Sequence, residues 1–166
     1  MTLFSARAIL RRTRYANWPP RLARPRAASF KEALEAAELL LLATPWPATT
    51  AAVEGLGDLA GKVLIDATNP LLRDLSGVEY GTTTTVGFNI MANPAFGGDR
   101  PVMFYRGDDD AAKPTVRPLV EQLGFEAVDA GPLSQAHLLE PFALLWISLA
   151  YAQRQGREIG FKLLRR

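Results

Sequence analysis

The 166-residue chain contains no cysteine and a single histidine, His137. Without thiols it has no disulfide framework, thiolate metal site or cysteine nucleophile, and one histidine cannot assemble the ligands of a zinc site. Apolar runs are short as well, and none reaches the roughly 18 residues of a membrane-spanning helix. The composition therefore predicts a soluble protein of one globular domain with no membrane partner. Any redox chemistry must come from a bound cofactor.

Acidic residues are missing from the start of the chain. Residues 1–30 contain seven arginines and no Asp or Glu, whereas the rest is net acidic. A nucleic-acid arm and a transit peptide are both Arg-rich and acid-poor. This segment lacks the lysines and interleaved aromatics of the first and most of the serines of the second. We therefore treat residues 1–30 as an atypical basic segment, predict no nucleic-acid partner, and favour a third explanation given below.

From residue 30 onward, short apolar runs alternate with amphipathic stretches, a pattern typical of an α/β layer structure. A helix over 31–37, capped by Ser29, leads to a strand over 38–44 that is apolar at nearly every position and predicted to be buried. A helix over 48–55 and a buried strand over 62–68 complete a βαβ unit. We predict a loop over 71–100. The remaining predicted elements are strands over 101–106 and 125–129, a helix over 111–123, and a helical tail over 134–166 that breaks near Gly156.

Ligands of open parallel sheets bind beyond the carboxyl ends of the strands. In this sequence those positions are Thr44-Pro45-Trp46, residues 66–70 and the turn over 85–89. Pro45 and Pro70 make a rigid apolar lip for a flat ring, or they simply stop the strands. Asp66 is predicted to be a buried, hydrogen-bonded structural group rather than a general base.

The glycine-rich dinucleotide fingerprint is absent, because the glycines at 55, 57 and 61 precede a strand instead of following one. His137 is predicted to be a surface residue and the triplet Asp108–Asp110 a solvated helix start. Apolar residues recur at helical spacing in the tail and are predicted to be buried against the sheet or a second subunit, with Tyr151 predicted to be a core residue. They are Leu138, Leu139, Phe142, Leu145, Trp146 and Leu149.

Five segments together resemble one family: "AELLLLATPW", "GKVLIDATNPL", "NIMANPAF", "DAGPLSQAHLLEP" and "LLWISLAYAQRQGREIGFKLLRR". They are similar to the NADP-dependent oxidoreductases of the deazaflavin coenzyme F420 and the predicted dinucleotide-binding enzymes related to them. The resemblance runs through most of residues 28–166. It implies a Rossmann-like parallel sheet with C-terminal helices, NADP as cofactor, F420 or another small redox acceptor, and a cytoplasmic location. It also leaves room for a homodimer through the C-terminal helices.

The same resemblance suggests cofactor-binding positions but no catalytic side chain. Thr44, Pro45 and Trp46 would flank the adenosine and ribose side of NADP, and Asn69 with Pro70 would lie near the nicotinamide. The opening "MTLFSAR" is similar to the family's second strand, after which Ser5 and Arg7 would read the 2′-phosphate. A guanidinium suits that dianion because its planar fork makes paired hydrogen bonds.

The chain also departs from the family pattern. It starts after the family's first strand, glycine-rich turn and helix, loses resemblance over residues 8–26, and joins separated segments at residues 81–85. We therefore expect an N-terminally truncated Rossmann-like domain over 28–166, preceded by the segment 1–30 with its partial second strand. The expected function is NADP-dependent hydride transfer. The alternative is a non-catalytic remnant or interaction subunit that no longer binds the nucleotide.

Overall fold

A computed structural model describes residues 28–59, 61–68 and 87–166. These residues fall into two compact units, 28–68 and 87–166. Each unit contains one pair of parallel strands with helices. The fold is thus mixed α/β, as the alternating pattern predicts. That residues 28–166 make one dinucleotide-binding domain, preceded by a separate segment 1–30, stays a prediction.

The first unit begins with helix α1, Phe30–Ala36. Ser29 caps it through a reciprocal pair of hydrogen bonds: Glu32 N–H donates to the Ser29 hydroxyl, and Ser29 N–H donates to the Glu32 carboxylate. This capping box satisfies two backbone donors that the first turn leaves unpaired. The predicted helix and its cap are confirmed.

The βαβ unit follows as strand β1, Leu39–Leu42, helix α2, Thr49–Leu56, and strand β2, Val63–Asp66. The two strands are parallel, with Leu39 opposite Val63 and Leu42 opposite Asp66. One face of the pair is covered by the helices through a cluster of buried side chains. Its members are Leu34, Ala37, Leu40 and Leu56. The predicted unit is confirmed.

Two burial predictions for these strands are wrong. Leu41 is 50% exposed, although an all-apolar strand predicts burial on both faces, because the cluster covers only the face that carries Leu40 and Leu42. Asp66 is exposed rather than buried. It is the last residue of β2, where a carboxylate keeps its contact with water.

The second unit contains five regular elements. They are α3, Phe88–Ala92; β3, Val102–Tyr105; α4, Lys113–Gln122; β4, Glu126–Asp129; and α5, Leu139–Ile147. Strands β3 and β4 pair in parallel, with Val102 opposite Glu126. Both strands and α4 agree with their predictions. Helix α3 lies within the predicted loop 71–100, so that prediction is wrong there: five residues are too few to show a helical period.

The core of the second unit is built from Ile90, Val120, Phe125 and Ala127. Phe125 and Ile90 are fully buried, and they join α3 to the β4 layer. Helix α4 contributes Val120 even though it carries Pro114 in its first turn and Pro118 inside it. Proline has no backbone N–H, so Pro118 cannot complete the helical bond to the carbonyl four residues earlier.

The tail departs from the predicted helix in two ways. A 3₁₀ turn over Leu133–Leu138 leads into α5, and a π-helical turn over Ser148–Ala152 ends it. Residues 153–166 contain no helix, which corrects the helical prediction for that stretch. Positive φ angles at Arg154 (56°) and Gly156 (82°) turn the chain out of the helical path.

Only part of the predicted apolar set is buried within this unit, and burial of the remaining leucines against a second subunit stays a prediction. Trp146 is 5% exposed and belongs to the interior, but Leu138, Leu145 and Tyr151 are 57%, 48% and 53% exposed. The apolar residues surround the helix instead of lying on one stripe, so helical spacing alone did not select the buried face. Among the described residues no helix combines the length and apolar character needed to cross a bilayer.

Candidate functional site

The turns that follow β1 and β2 lie side by side at the carboxyl end of this strand pair. The N–H of Ala67 donates to the carbonyl of Leu42 at 2.8 Å, which continues the ladder beyond β2. After β1, Thr44 and Pro45 lead into a 3₁₀ turn over Trp46–Ala48 that runs directly into α2. The predicted residues Thr44, Pro45 and Trp46 are therefore placed where open parallel sheets bind ligands.

Two threonine hydroxyls meet at the base of this turn. Oγ1 of Thr44 lies 3.0 Å from Oγ1 of Thr49, which is 8% exposed and also lies 3.4 Å from the carbonyl oxygen of Pro45. When the Thr49 hydroxyl donates to the Pro45 carbonyl, the Thr44 hydroxyl donates its hydrogen to Oγ1 of Thr49. The remaining lone pairs of Thr44 then accept from a ligand hydroxyl or amide.

Sequence reasoning missed Thr49. The signal that would have found it is the second threonine five residues after Thr44, at the point where a helix must start close to the end of the strand. Its burial makes it a support for Thr44 rather than a ligand contact.

Trp46 and Pro45 form the outer edge of the turn. Pro45 is exposed and Trp46 is half-buried. Prolines at 45 and 47 restrict the backbone on both sides of Trp46 and so fix the position from which its side chain starts. An aromatic face held in this way can pack on a flat heterocycle.

Asp66 closes the neighbouring turn. Its Oδ1 accepts the N–H of Thr68 at 2.8 Å, and Thr68 is 2% exposed. A carboxylate that accepts from the backbone two residues ahead is the usual Asx turn. The structural role predicted for Asp66 is confirmed, although its exposure is not as predicted.

The described part of this strand end carries no cationic side chain. Residues 28–68 contain only Lys31 and Lys62 as cations. Nζ of Lys62 donates to the carbonyl of Ala37 at 2.6 Å, before the start of both strands. Lys31 follows Phe30, whose ring contacts Gly55 in the last turn of α2. Lys31 is therefore close to the end of α2 that is away from the turn after β1. This end of the sheet therefore suits a neutral ribose or ring, while a phosphate would need cations from elsewhere in the chain.

Four predicted site residues lie outside the described residues: Ser5, Arg7, Asn69 and Pro70. The predicted turn over 85–89 is described only from Gly87. There the side chain of Asn89 is engaged within its own unit, because Nδ2 donates to the carbonyl of Arg157 and to Oε1 of Glu158, both at 2.8 Å.

The carboxyl end of the β3–β4 pair holds a closed ionic network. Nζ of Lys113 lies 3.0 Å from Asp110 and 3.1 Å from Asp129. These carboxylates raise the pKa of Lys113, Asp110 most strongly. The N–H of Gly131, which donates to Asp129 at 2.8 Å, and the Lys113 ammonium hold the pKa of the Asp129 carboxyl below its ordinary value. Because these groups satisfy one another, we assign the network a structural role.

Other predictions for polar residues can now be placed. His137 is exposed, as predicted, and its Nδ1 lies 3.2 Å from the carbonyl of Ser134. Asp108 and Asp109 are exposed too, but both accept backbone N–H groups, from Leu133 and Ala111. Within residues 28–59, 61–68 and 87–166, no three His, Asp or Glu side chains are grouped as metal ligands.

Comparison with known families identifies relatives of this chain. The model of the family described as "NADP oxidoreductase coenzyme F420-dependent" matches residues 6–70. The match includes residues 8–26, where the sequence is expected to lose its resemblance to the family, and the β1–α2–β2 unit. The resemblance to this family is confirmed.

Two solved structures are similar to this chain. The crystal structure of a putative F420-dependent NADP-reductase from Arthrobacter sp. FB24 is 29% identical, with a TM-score of 0.70 over 85% of this chain and 76% of that one. A hypothetical protein from Sinorhizobium meliloti is 27% identical, with a TM-score of 0.53 over 66% of this chain and 63% of that one. The fold is therefore similar to that of an F420-dependent NADP reductase.

Proposed function

Because the chain is related in sequence and fold to the coenzyme F420-dependent NADP oxidoreductases, we propose that it is an NADP-dependent oxidoreductase domain. It transfers hydride between NADP(H) and F420 or another small redox acceptor. The observation that carries the proposal is the neutral turn of Thr44, Pro45 and Trp46 at the carboxyl end of a parallel βαβ unit, which lies within the range of the family match.

The proposed contacts divide the cofactor among three segments. Thr44 accepts a hydrogen bond from a ribose hydroxyl, and Pro45 and Trp46 flank the adenosine and ribose side of NADP. Asn69 and Pro70 lie near the nicotinamide. The absence of a cation from the described β1–β2 strand end supports a separate source for the phosphate contacts.

For those contacts we propose Ser5 and Arg7. A guanidinium makes two parallel hydrogen bonds to a phosphate, so Arg7 would distinguish NADP from NAD by the 2′-phosphate. The bound nicotinamide supplies the hydride, and the protein supplies position and exclusion of water. The chemistry needs no protein nucleophile, which agrees with the absence of cysteine from the sequence.

We also propose a cytoplasmic homodimer through the C-terminal helices. The support is the apolar surface at the start of α5: Leu138, its N-cap with helical backbone angles, and Leu145 are both about half exposed, and Pro141 between them is exposed as well. Positions separated by three and seven residues lie on one face of a helix. Sedimentation of the parent and of Leu145→Glu tests this contact, because a buried charge would dissociate the dimer.

Nucleotide titration tests the main proposal. NADPH is expected to quench the emission of Trp46, and the Trp46→Phe variant should lose most of that response. The parent should bind NADPH more tightly than NADH, and Arg7→Ala should remove the difference. The control is Arg117→Ala, which removes an exposed guanidinium that pairs with Glu121 in its own helix. Equal affinity for both nucleotides would contradict the role of Arg7. Failure to bind either nucleotide would contradict the proposed oxidoreductase function.

A further inference from the structure

Residues 157–165, called the strap below, cross the second unit without helical structure. Their first part is held by side chains of the body of the unit. Nδ2 of Asn89 donates to the Arg157 carbonyl and the Glu158 carboxylate, as described above. The indole N–H of Trp146 donates to the carbonyl of Ile159 at 2.8 Å.

The second part of the strap lies on the free edge of β3. The N–H of Val102 donates to the carbonyl of Phe161 at 2.8 Å, while the adjacent carbonyl of Pro101 accepts from β4. The carbonyl of Pro101 and the N–H of Val102 belong to the same peptide group and therefore point to opposite edges of the strand. The strap thus occupies the edge of β3 that β4 leaves open. The ring of Phe161 lies 4.4 Å from that of Phe142, centroid to centroid.

The strap ends in two ion pairs at the surface, Lys162 with Asp99 and Arg165 with Glu126. Both cations are about half exposed or more, so salt screens these pairs. No strap residue belongs to the core of Ile90, Val120, Phe125 and Ala127 or to the side chains packed against it. Polar contacts thus hold most of the strap, and the core does not depend on it.

The chain before the strap has the geometry of a hinge. Arg154 and Gly156 both have positive φ, and the N–H of Gln155 donates to the carbonyl of Leu149 at 3.0 Å, closing the turn after the π-helical residues. No atom lies within 4 Å of a Cβ built on Gly156, so this position is free of packing.

We propose that the strap is a closing element that detaches as one segment about residues 154–156 while the rest of the second unit stays folded. Detachment uncovers the edge of β3, the ring of Phe142 and the indole N–H of Trp146. Elements held by few buried contacts open well below the cost of global unfolding. The occupant of this edge is the strap itself, and Asn89 is the residue that locks it.

The sequence allows a direct test by trypsin. Between residues 101 and 153 the basic residues are Arg106, Lys113 and Arg117, and the last two precede proline, which blocks cleavage. Cleavage after Arg106, in the body of the unit, therefore reports its unfolding, and cleavage after Arg157 reports opening of the strap. Mass spectrometry measures both cleavage rates. Each rate is divided by the rate at which trypsin cleaves the same bond in a synthetic peptide, so that the two sites can be compared.

In the full-length protein, cleavage after Arg157 should be at least about tenfold faster than after Arg106, because proteolysis follows the population of the open form. Asn89→Ala should raise the ratio of the two rates by about threefold to tenfold through the lost hydrogen bonds. Asn93→Ala is the matched control, since this exposed residue lies just after α3 and its side chain accepts the N–H of the nearby Ala95. Higher salt should also raise the ratio.

A second variant acts from the strap side, in case Asn89→Ala does not fold. A Cβ on Gly160 would stand 3.1 Å from Pro101 and 3.3 Å from Phe96, so Gly160→Val should push the strap off its seat and raise the ratio. Equal rates after Arg157 and Arg106 in the parent would overturn the proposal. So would an unchanged ratio in Gly160→Val.

Discussion

The Cα of Gly87 lies against the indole of Trp146, so that a methyl group built on Gly87 would stand 2.5 Å from Cη2 of the ring. The φ of Gly87 is −69°, so the close contact, and not backbone strain, requires glycine. The turn that begins α3 is thus fitted to the ring buried on α5.

Gly87→Ala should lower the free energy of unfolding by about 1–3 kcal/mol, because the ring must move within a packed site. Urea denaturation measures the change. Gly107→Ala is the matched control, since no atom lies within 4 Å of a Cβ at that position. Equal denaturation midpoints for the two variants would contradict the fit.

Replacing Trp146 by Ala should lower the free energy of unfolding by roughly 3–5 kcal/mol, because a cavity remains where the ring is buried. Trp146→Phe should cost less, because it keeps most of the ring and removes the hydrogen bond to Ile159. Leu164→Ala serves as the control, since that side chain is 79% exposed. A folded Trp146→Ala variant with an unchanged melting temperature would show that the ring is not part of the core.

Asp129 should contribute a pH-dependent part of the stability. Its pKa is held low in the folded state by the N–H of Gly131 and by Lys113, so its stabilisation is present above the ordinary carboxyl pKa and is lost as pH falls through the lowered value. Asp129→Asn should flatten the fall in unfolding free energy that begins as pH drops below about 4. Urea titrations at several pH values measure the slope. Glu54→Gln, at an exposed position, is the control, and identical slopes in parent and Asp129→Asn would rule out the effect.

Arg154 and Gly156 form a pair with opposite expected effects. Arg154 has φ 56°, a conformation that costs a residue with a Cβ about 1 kcal/mol, so Arg154→Gly should be neutral or slightly stabilising. Gly156 has φ 82°, so Gly156→Ala should be destabilising by about 1 kcal/mol although the site has open space. Thermal melting of both variants checks the difference in sign. A stabilising Gly156→Ala would exclude this backbone geometry.

Thr44→Val should weaken NADPH binding by about twofold to tenfold, the value of one hydrogen bond, while Thr44→Ser should bind as the parent does. The reason is the lone pair of Thr44 that the bond to Thr49 leaves for a ribose hydroxyl. Thr50→Val, at the exposed neighbouring position, is the control. Isothermal titration gives the affinities. If Thr44→Val bound NADPH with the affinity of the parent, Thr44 would not belong to the binding site, although the protein would still bind the nucleotide.

The sequence predicts those parts of the fold whose signals are local. Ser29 with Glu32 is a capping box, and the apolar run before Pro45 has the length and composition of a strand, so α1 and β1 follow from a few residues. The position of the candidate site follows from β1 as well, because ligands bind beyond the ends of parallel strands.

What the sequence could not predict depends on contacts between distant segments. After the turn at Arg154 and Gly156, Asn89 and Trp146 bind the backbone of residues 157–159 and hold this stretch against the unit instead of in a helix. Leu145 is exposed and Trp146 is buried, although both are apolar and adjacent, because only the neighbours of α5 decide which side faces the interior.

The prolines of α4 have a consequence for the order in which the second unit folds. With Pro118 unable to donate to the carbonyl of Pro114, the isolated segment lacks a central hydrogen bond and is a poor helix nucleus. We therefore expect the helix to gain most of its stability when Val120 packs with Ile90, Phe125 and Ala127 in the core of the unit. We expect α4 to form late in folding, so that changes to its exposed residues affect the rate of unfolding rather than the rate of folding.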